Sequence, residues 1–329
     1  MKKEGDKVKV VISDYYYEQI QQEKELIEAA GAELRDYHCK TEDEVIDAAK
    51  DCDVLICQFA PITERVISAM PHCRAIIRYA IGVDNIDVKA AEAHGIWVCN
   101  VPDYSLDEVS NQAIALLMDC VKKLSYLNEQ VRAGNNSYTI VKPLYRMEGK
   151  TLGLIGFGRI PRLVAKKMSG FGVKIIAFDP MMDLKAAAEL GVESVAFEEL
   201  LSRSDYISVH CPLTEATRHM IDRNAISKMK SNAILINTAR GAVVDEKALT
   251  EALQTQRISM AGLDVTETEP IPLDSPLLKL DNAVLTPHAA WYSEEAVQSL
   301  QRKVAEEAVR ALKGEKLRNP VNCPLNKRQ

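Results

Sequence analysis

Apolar and polar positions follow two alternating rhythms over the first hundred residues. The run VKVVIS (8–13) is short and almost continuously apolar, as a strand buried on both faces must be. YEQIQQEKELIEAAG spaces its apolar residues at helical intervals and stops at Gly31, a residue suited to close a helix. AELRDY reads as a short strand, and TEDEVIDAAK as a helix that Thr41 can cap. DVLICQ (53–58), AIIRYA (75–80) and IWVCNVP are further strands. IDVKAAEAHG is a short helix with Asp87 as N-cap and Gly95 after its end. Strands taking turns with helices predict a parallel sheet covered on both faces.

The rhythm breaks at NVPDY (100–104). A helical stretch follows, from Ser105 to Ala133, too long for a routine crossover and expected to bridge two lobes. After the loop GNNSYTIVKPLYRMEGK a second alternating series begins, with TLGLIG, KIIAFD, YISVHC, AILINTA, SMAGLDV and AVLTPH as its strands. A last helix is expected over 293–313, returning to the first lobe. No repeat of solenoid period and no low-complexity tract is present.

At 329 residues the chain exceeds one typical compact core, so two domains are expected. With 41 basic against 47 acidic residues its net charge is −6, which offers no footprint for nucleic acid. The N-terminal apolar run is strand-length, too short for a signal-peptide core, and no stretch nears the roughly 20 apolar residues of a membrane span. A cytoplasmic protein with no membrane partner is the expectation. The eight cysteines form no C-x-x-C pair and several sit inside apolar runs, so reduced, buried thiols are expected, with no metal site.

GLIGFGRIPRLVA (153–165) opens like the phosphate-cradling turn of a dinucleotide-binding domain, with Pro161 where a third glycine would stand. A strand precedes it, a helix follows, and a second strand ends at Asp179, which is the context such a turn requires. Gly156 permits the tight turn, and Gly158 lets the backbone approach a pyrophosphate. The phosphate contacts belong to the backbone from Phe157 through Gly158 and Arg159 to Ile160. Pro161 falls in the first helical turn, where its missing N–H has no partner to lose, so the site is expected to survive with the helix slightly displaced. Asp179, at the second strand's end, would accept a ribose diol and repel a 2′-phosphate, which favours NAD(H) over NADP(H).

Three polar residues mark the ends of late strands. Arg240 closes LINTARG, Glu269 lies in GLDVTETEP, and His288 lies in LTPHAAWYS. A histidine is a natural acid/base near neutral pH, a nearby glutamate would stabilise its charged form, and an arginine forks onto a carboxylate. Beside a dinucleotide turn, hydride transfer to a 2-keto acid is the economical reading.

These blocks, with HCPLTEATRHMI and the first-lobe segment RYAIGVDNIDVKAAEAHGIWVCNVPDYSLDEVSNQAIALLM, resemble the D-isomer-specific 2-hydroxyacid dehydrogenase family over nearly the whole chain. TPHAAWYS and IIRYAIGVDNID are most similar to the branch holding the C-terminal-binding-protein corepressors. The resemblance implies an α/β protein of two doubly wound parallel-sheet lobes. A Rossmann NAD-binding domain (102–293) is inserted in a flavodoxin-like catalytic and substrate domain (1–101 and 294–329). It implies Arg240, Glu269 and His288 as the catalytic set. Asp264 would lie near the nicotinamide amide, and Cys211, Pro212, Thr238 and Ala239 would line the cofactor. Ile81, Gly82 and Val83 would offer backbone N–H groups to the substrate carboxylate, with Arg78 and Trp291 facing the substrate. A homodimer is implied, through the bridging helix and the 134–150 arm. Pro161 departs from the family pattern, as does NNSY, where many relatives carry a tryptophan-bearing segment. A corepressor-like scaffold that senses NADH and turns over slowly is the competing reading. Hydride transfer from a related anion such as phosphite is a third. Tyr15, Tyr16 and Phe59 stand either as pocket residues for an apolar side chain or as surface-loop aromatics.

Overall fold

Short apolar runs between amphipathic segments become strands and crossover helices in the computed structural model, which describes residues 7–325. The first part of the chain runs β1 (Lys9–Ile12), α1 (Gln21–Ala29), β2 (Glu33–Asp36), α2 (Glu42–Ala49), β3 (Val54–Cys57), α3 (Glu64–Ser68), β4 (Ala75–Arg78), α4 (Val88–Ala93) and β5 (Trp97–Cys99). The middle begins with α5 (Leu106–Lys122), α6 (Leu124–Arg132), β6 (Thr151–Ile155), α7 (Arg159–Met168), β7 (Lys174–Phe178), α8 (Leu184–Glu189) and β8 (Glu193–Ser194). It continues with α9 (Phe197–Arg203), β9 (Tyr206–Val209), α10 (Arg223–Lys228), β10 (Ile234–Asn237), α11 (Glu246–Gln254), β11 (Met260–Leu263) and β12 (Ala283–Leu285). The last helix is α12 (Glu294–Leu312). The described residues divide into two compact units. Unit 1 ends at Tyr104 and resumes at Ser293, and unit 2 is Ser105–Tyr292.

Unit 1 holds a five-stranded parallel sheet in the order β2-β1-β3-β4-β5. Strand alternation feeds both of its faces. Val54 and Ile56 of β3 pack with Leu300, Val304 and Ala308 of α12. Leu55 and Cys57 pack with Val45 of α2 and Val66 of α3. The Thr41 side chain and Glu44 close a reciprocal capping box on α2, and Asp87 caps α4 by accepting from Ala90 N–H at 2.9 Å.

Unit 2 holds a seven-stranded parallel sheet, β12-β11-β10-β9-β6-β7-β8. Leu116, Leu117 and Val164 cover one face, and Leu200, Ile226 and Leu249 the other. Strand order reverses between β1 and β3 in unit 1 and between β6 and β9 in unit 2. Ligands of open parallel sheets bind beyond the carboxyl ends of strands at such reversals.

The 105–133 stretch, expected as one helix bridging two lobes, is two helices, both within unit 2. Lys123 is left-handed, with φ of 52°. The Asp119 carboxylate takes the Ser125 N–H at 2.8 Å and the Ser125 hydroxyl, starting α6 in a new direction. Seven of the eight cysteines are buried, as read from their apolar context, but Cys323 is exposed. Among the described residues no helix is long and apolar enough to cross a membrane.

Candidate active site

The cofactor-type turn sits at the reversal of the unit 2 sheet. Gly156, at φ +93°, follows β6, and a Cβ there would lie 3.0 Å from the carbonyl of His210, which follows β9. A side chain would therefore close the gap between the two strands. Gly158 caps α7, and a Cβ built on it meets nothing within 4 Å, so the approach to the helix N-terminus is open. Pro161 is buried in the first turn, at a position whose N–H has no intrahelical acceptor.

Asp179 reaches back over this turn. One oxygen accepts the Phe157 N–H at 2.7 Å, and the other accepts the Met181 N–H at 2.8 Å. The Phe157 N–H therefore has an intramolecular partner, and the N–H groups of Gly158, Arg159 and Ile160 are the ones left for a phosphate. Arg162, which the sequence did not single out, braces the same turn. Its Nε donates to the Phe157 carbonyl at 3.0 Å, and its guanidinium lies 5.3 Å from the Phe157 ring centroid.

The other nominated cofactor positions line the ends of β9 and β10. Cys211 is buried, and burial pushes its thiol up to about 11, so it stays protonated at neutral pH. Pro212 is exposed on the loop beyond, its carbonyl accepting from Thr217. The Thr238 hydroxyl is buried without a hydrogen-bond partner, an orphaned polar atom that a polar ligand would satisfy. Together with the open helix N-terminus, it fits these residues to a dinucleotide.

The chemistry-bearing residues meet just beyond. His288 Nδ1 lies 2.6 Å from Glu269 Oε2, and Thr266 N–H donates to the other Glu269 oxygen at 3.2 Å. Burial works against the Glu269 charge. The hydrogen bond and charge of His288, the Thr266 N–H and the Arg240 charge outweigh it, holding the carboxyl below the usual range. Arg240 donates to the Ala239 carbonyl at 2.7 Å. Its turn is fixed by Asn237, whose amide donates to the Arg240 carbonyl at 2.9 Å and accepts from Ala239 N–H at 3.0 Å. Asn237 was not singled out from the sequence either.

Asp264 is 1% exposed, and both its oxygens are engaged by its own chain. They accept from the Thr286 hydroxyl at 2.6 Å, Ala289 N–H at 3.0 Å and Ala290 N–H at 2.9 Å. Its carbonyl takes the His288 N–H at 2.8 Å. These bonds hold His288 at φ 53°, a left-handed conformation in which histidine is among the tolerated residues. Trp291 follows on the same turn, edge-to-face with Tyr292 at 5.6 Å.

In unit 1, Arg78 ends β4, 8% exposed, and donates to the Gln58 carbonyl at 3.0 Å. Ile81, Gly82 and Val83 form the loop beyond it, and among the described residues their N–H groups have no acceptor. A cavity of about 770 Å³ in unit 2 lies elsewhere, at the amino ends of the strands, lined by Tyr126, Tyr145, Asp205 and Asn282. It contains none of the nominated residues.

Residues 114–290 match the family described as D-isomer specific 2-hydroxyacid dehydrogenase, NAD binding domain. A glyoxylate reductase of Korarchaeum cryptofilum is 44% identical over 282 residues, covering 84% of this chain and 85% of that protein. A D-3-phosphoglycerate dehydrogenase of Methanocaldococcus jannaschii is 42% identical over 286 residues, 86% of this chain but 54% of that longer protein. The crystal structure of a D-lactate dehydrogenase from Aquifex aeolicus, complexed with NAD and lactic acid, superposes with a TM-score of 0.88 at 30% identity, covering 96% of this chain and 99% of that one. With its two parallel-sheet lobes, Rossmann and flavodoxin-like, the chain belongs to the D-isomer-specific 2-hydroxyacid dehydrogenases and is an NAD-dependent oxidoreductase.

Proposed function

We propose that the protein reduces 2-keto acids to D-2-hydroxy acids reversibly, with His288 as the proton donor, Glu269 as its anchor and Arg240 as the carboxylate clamp. The observation that carries this reading is the 2.6 Å contact between His288 and Glu269, whose carboxylate also feels the Arg240 charge. Bound NADH supplies the hydride for C2. Glu269 occupies Nδ1 of His288, which leaves Nε2 to hold the proton that the developing alkoxide takes. Arg240 binds the substrate carboxylate and polarises the ketone. Asp264 is a positioning residue for the His288 turn. The N–H groups of Gly158, Arg159 and Ile160 bind pyrophosphate, Thr238 offers its hydroxyl to the cofactor, and Asp179 takes the ribose. In unit 1, the Ile81–Val83 backbone receives the carboxylate.

A panel of 2-keto acids followed by NADH absorbance tests the reading. Tight NADH binding with no turnover on any of them would favour the scaffold reading suggested by the corepressor-like segments. Exposed apolar residues gather on α6 and the arm, among them Leu124 (54%), Val131 (54%), Tyr138 (72%) and Tyr145 (57%), which supports the proposed homodimer.

Two variants probe named roles. The contacts of Glu269 hold it in its charged form, and it anchors the His288 ring at Nδ1. Glu269→Gln loosens that anchor, and kcat for keto-acid reduction is expected to fall by about 100-fold, the cost of misplacing a reacting group by about 1 Å, with NADH affinity close to wild type. An unchanged kcat would contradict the pairing. Asp179→Ala is expected to lower the NADH-over-NADPH preference in kcat/KM by about tenfold, and the orphaned Phe157 N–H costs about 1 kcal/mol of stability. A constant cofactor ratio would move the ribose contact elsewhere.

A further inference from the structure

Topology alone gives unit 1 a ligand crevice of its own. Its strand order reverses between β1 and β3, where parallel sheets of this kind take ligands. The segments leaving those strands are SDYYYEQI (13–20) and QFAPIT (58–63).

The floor of this crevice is closed to anions. Asp14 is 6% exposed. One oxygen accepts from the Ser13 hydroxyl at 2.8 Å and the Gln58 N–H at 3.1 Å. The other accepts from the Phe59 and Ala60 N–H groups at 2.5 and 3.0 Å. Three successive N–H groups converging on one point make an anion nest, and here the anion is the chain's own carboxylate. A phosphate or second carboxylate on a substrate would find the nest filled and meet the Asp14 charge. Neither segment contains Lys or Arg. Arg78, at the end of β4, is turned to the Gln58 carbonyl and lies 3.5 Å from Asp84.

The rim is aromatic. Tyr16, from the segment after β1, and Phe59, from the segment after β3, are 77% and 51% exposed, with ring centroids 5.2 Å apart. Their backbones are pinned. Tyr16 N–H donates to the Gln58 side chain at 3.0 Å, Gln58 in turn donates to the Tyr17 hydroxyl at 3.1 Å, and Asp14 holds Phe59. Two rings on a fixed frame, left largely uncovered by their own unit, gain most from a third apolar surface. Tyr15 does not share this role. Its hydroxyl donates to Asp36 at 2.8 Å, and its ring lies 4.6 Å from that of His38.

We propose that Tyr16 and Phe59 select the substrate side chain, and that the preferred substrate is a 2-keto acid with a bulky apolar side chain, aromatic above all, rather than one bearing a phosphate. The proposal rests on the reading that the protein reduces 2-keto acids. The test assays wild type, Phe59→Ala, Phe59→Leu and Tyr16→Ala with NADH on phenylpyruvate, 4-methyl-2-oxopentanoate, glyoxylate and 3-phosphohydroxypyruvate. Wild type is expected to favour phenylpyruvate over glyoxylate in kcat/KM by about 100-fold, with 3-phosphohydroxypyruvate last. Phe59→Ala and Tyr16→Ala should each lower the phenylpyruvate-to-glyoxylate ratio by about 10–100-fold, and Phe59→Leu should restore part of the ratio for 4-methyl-2-oxopentanoate to glyoxylate. A wild-type preference for glyoxylate or 3-phosphohydroxypyruvate, or equal losses on all substrates in folded variants, overturns the proposal. If wild type reduces none of the four, the keto-acid reading itself has failed. Calorimetry of the NADH-loaded wild-type protein with D-3-phenyllactate and glycolate then decides the subsite. Tighter phenyllactate binding supports it, and equal or weaker binding overturns it.

Discussion

His288→Gln is expected to lower kcat for keto-acid reduction by about 10²–10⁴-fold, the range a positioned proton donor contributes, while leaving NADH affinity close to wild type. Glu269 fixes one ring nitrogen at 2.6 Å, so the other is the nitrogen that can exchange a proton with substrate. Glutamine keeps a polar group near Glu269 but has no proton to give at neutral pH. The backbone must also be controlled for, because His288 is left-handed, with φ 53°. Asparagine adopts that conformation more readily than most residues, so His288→Asn is the companion variant. Stopped-flow turnover and NADH fluorescence titration separate the two effects. Wild-type turnover in either variant refutes the role. A parallel collapse of NADH affinity would show that the 286–290 turn had been lost rather than the proton.

The strands were legible because each is a short apolar run between polar boundaries, and burial on both faces leaves that signature. VKVVIS, DVLICQ and AIIRYA became β1, β3 and β4 within a residue or two. Caps were equally local: Thr41 and Asp87, both read as caps from the sequence, each accept an N–H from three residues ahead. β8 escaped notice because it is two exposed residues with no apolar pattern. The break at Lys123 depends on Asp119 reaching Ser125, a side-chain choice that helical periodicity cannot report. The site divides the same way. Its glycines and charged residues stand at strand ends, where ligand-binding groups gather. Two of the supports stand there too, Asn237 as the last residue of β10 and Asp264 just after β11. What they do was not legible, because they and Arg162 act by holding backbone groups of the Arg240, 286–290 and glycine turns, whose positions only the fold defines.

Gly241→Ala is expected to damage both stability and catalysis. It follows Arg240, and a Cβ there would lie 2.0 Å from the carbonyl carbon and oxygen of Thr266 and 2.5 Å from Glu267 N. These are backbone atoms, so no rotamer change relieves the overlap and one segment must move. On one side the shift carries Arg240 against the bonds Asn237 makes to its turn. On the other it carries Thr266, whose N–H holds a Glu269 oxygen at 3.2 Å. Arg240 and the Glu269–His288 pair are thereby driven apart. Overpacking of this kind costs about 1–3 kcal/mol, and a displacement of about 1 Å at a reacting centre costs about 100-fold in rate. Gly158→Ala is the contrasting case. Its Cβ meets nothing within 4 Å, so the melting temperature should hold while NADH binding weakens. Thermal melts, kcat and NADH titration on the two variants distinguish them. A Gly241→Ala protein with wild-type Tm and kcat would show that the Arg240 and Glu269 segments are not locked against each other, and the geometric basis for treating Arg240, Glu269 and His288 as one site would fail.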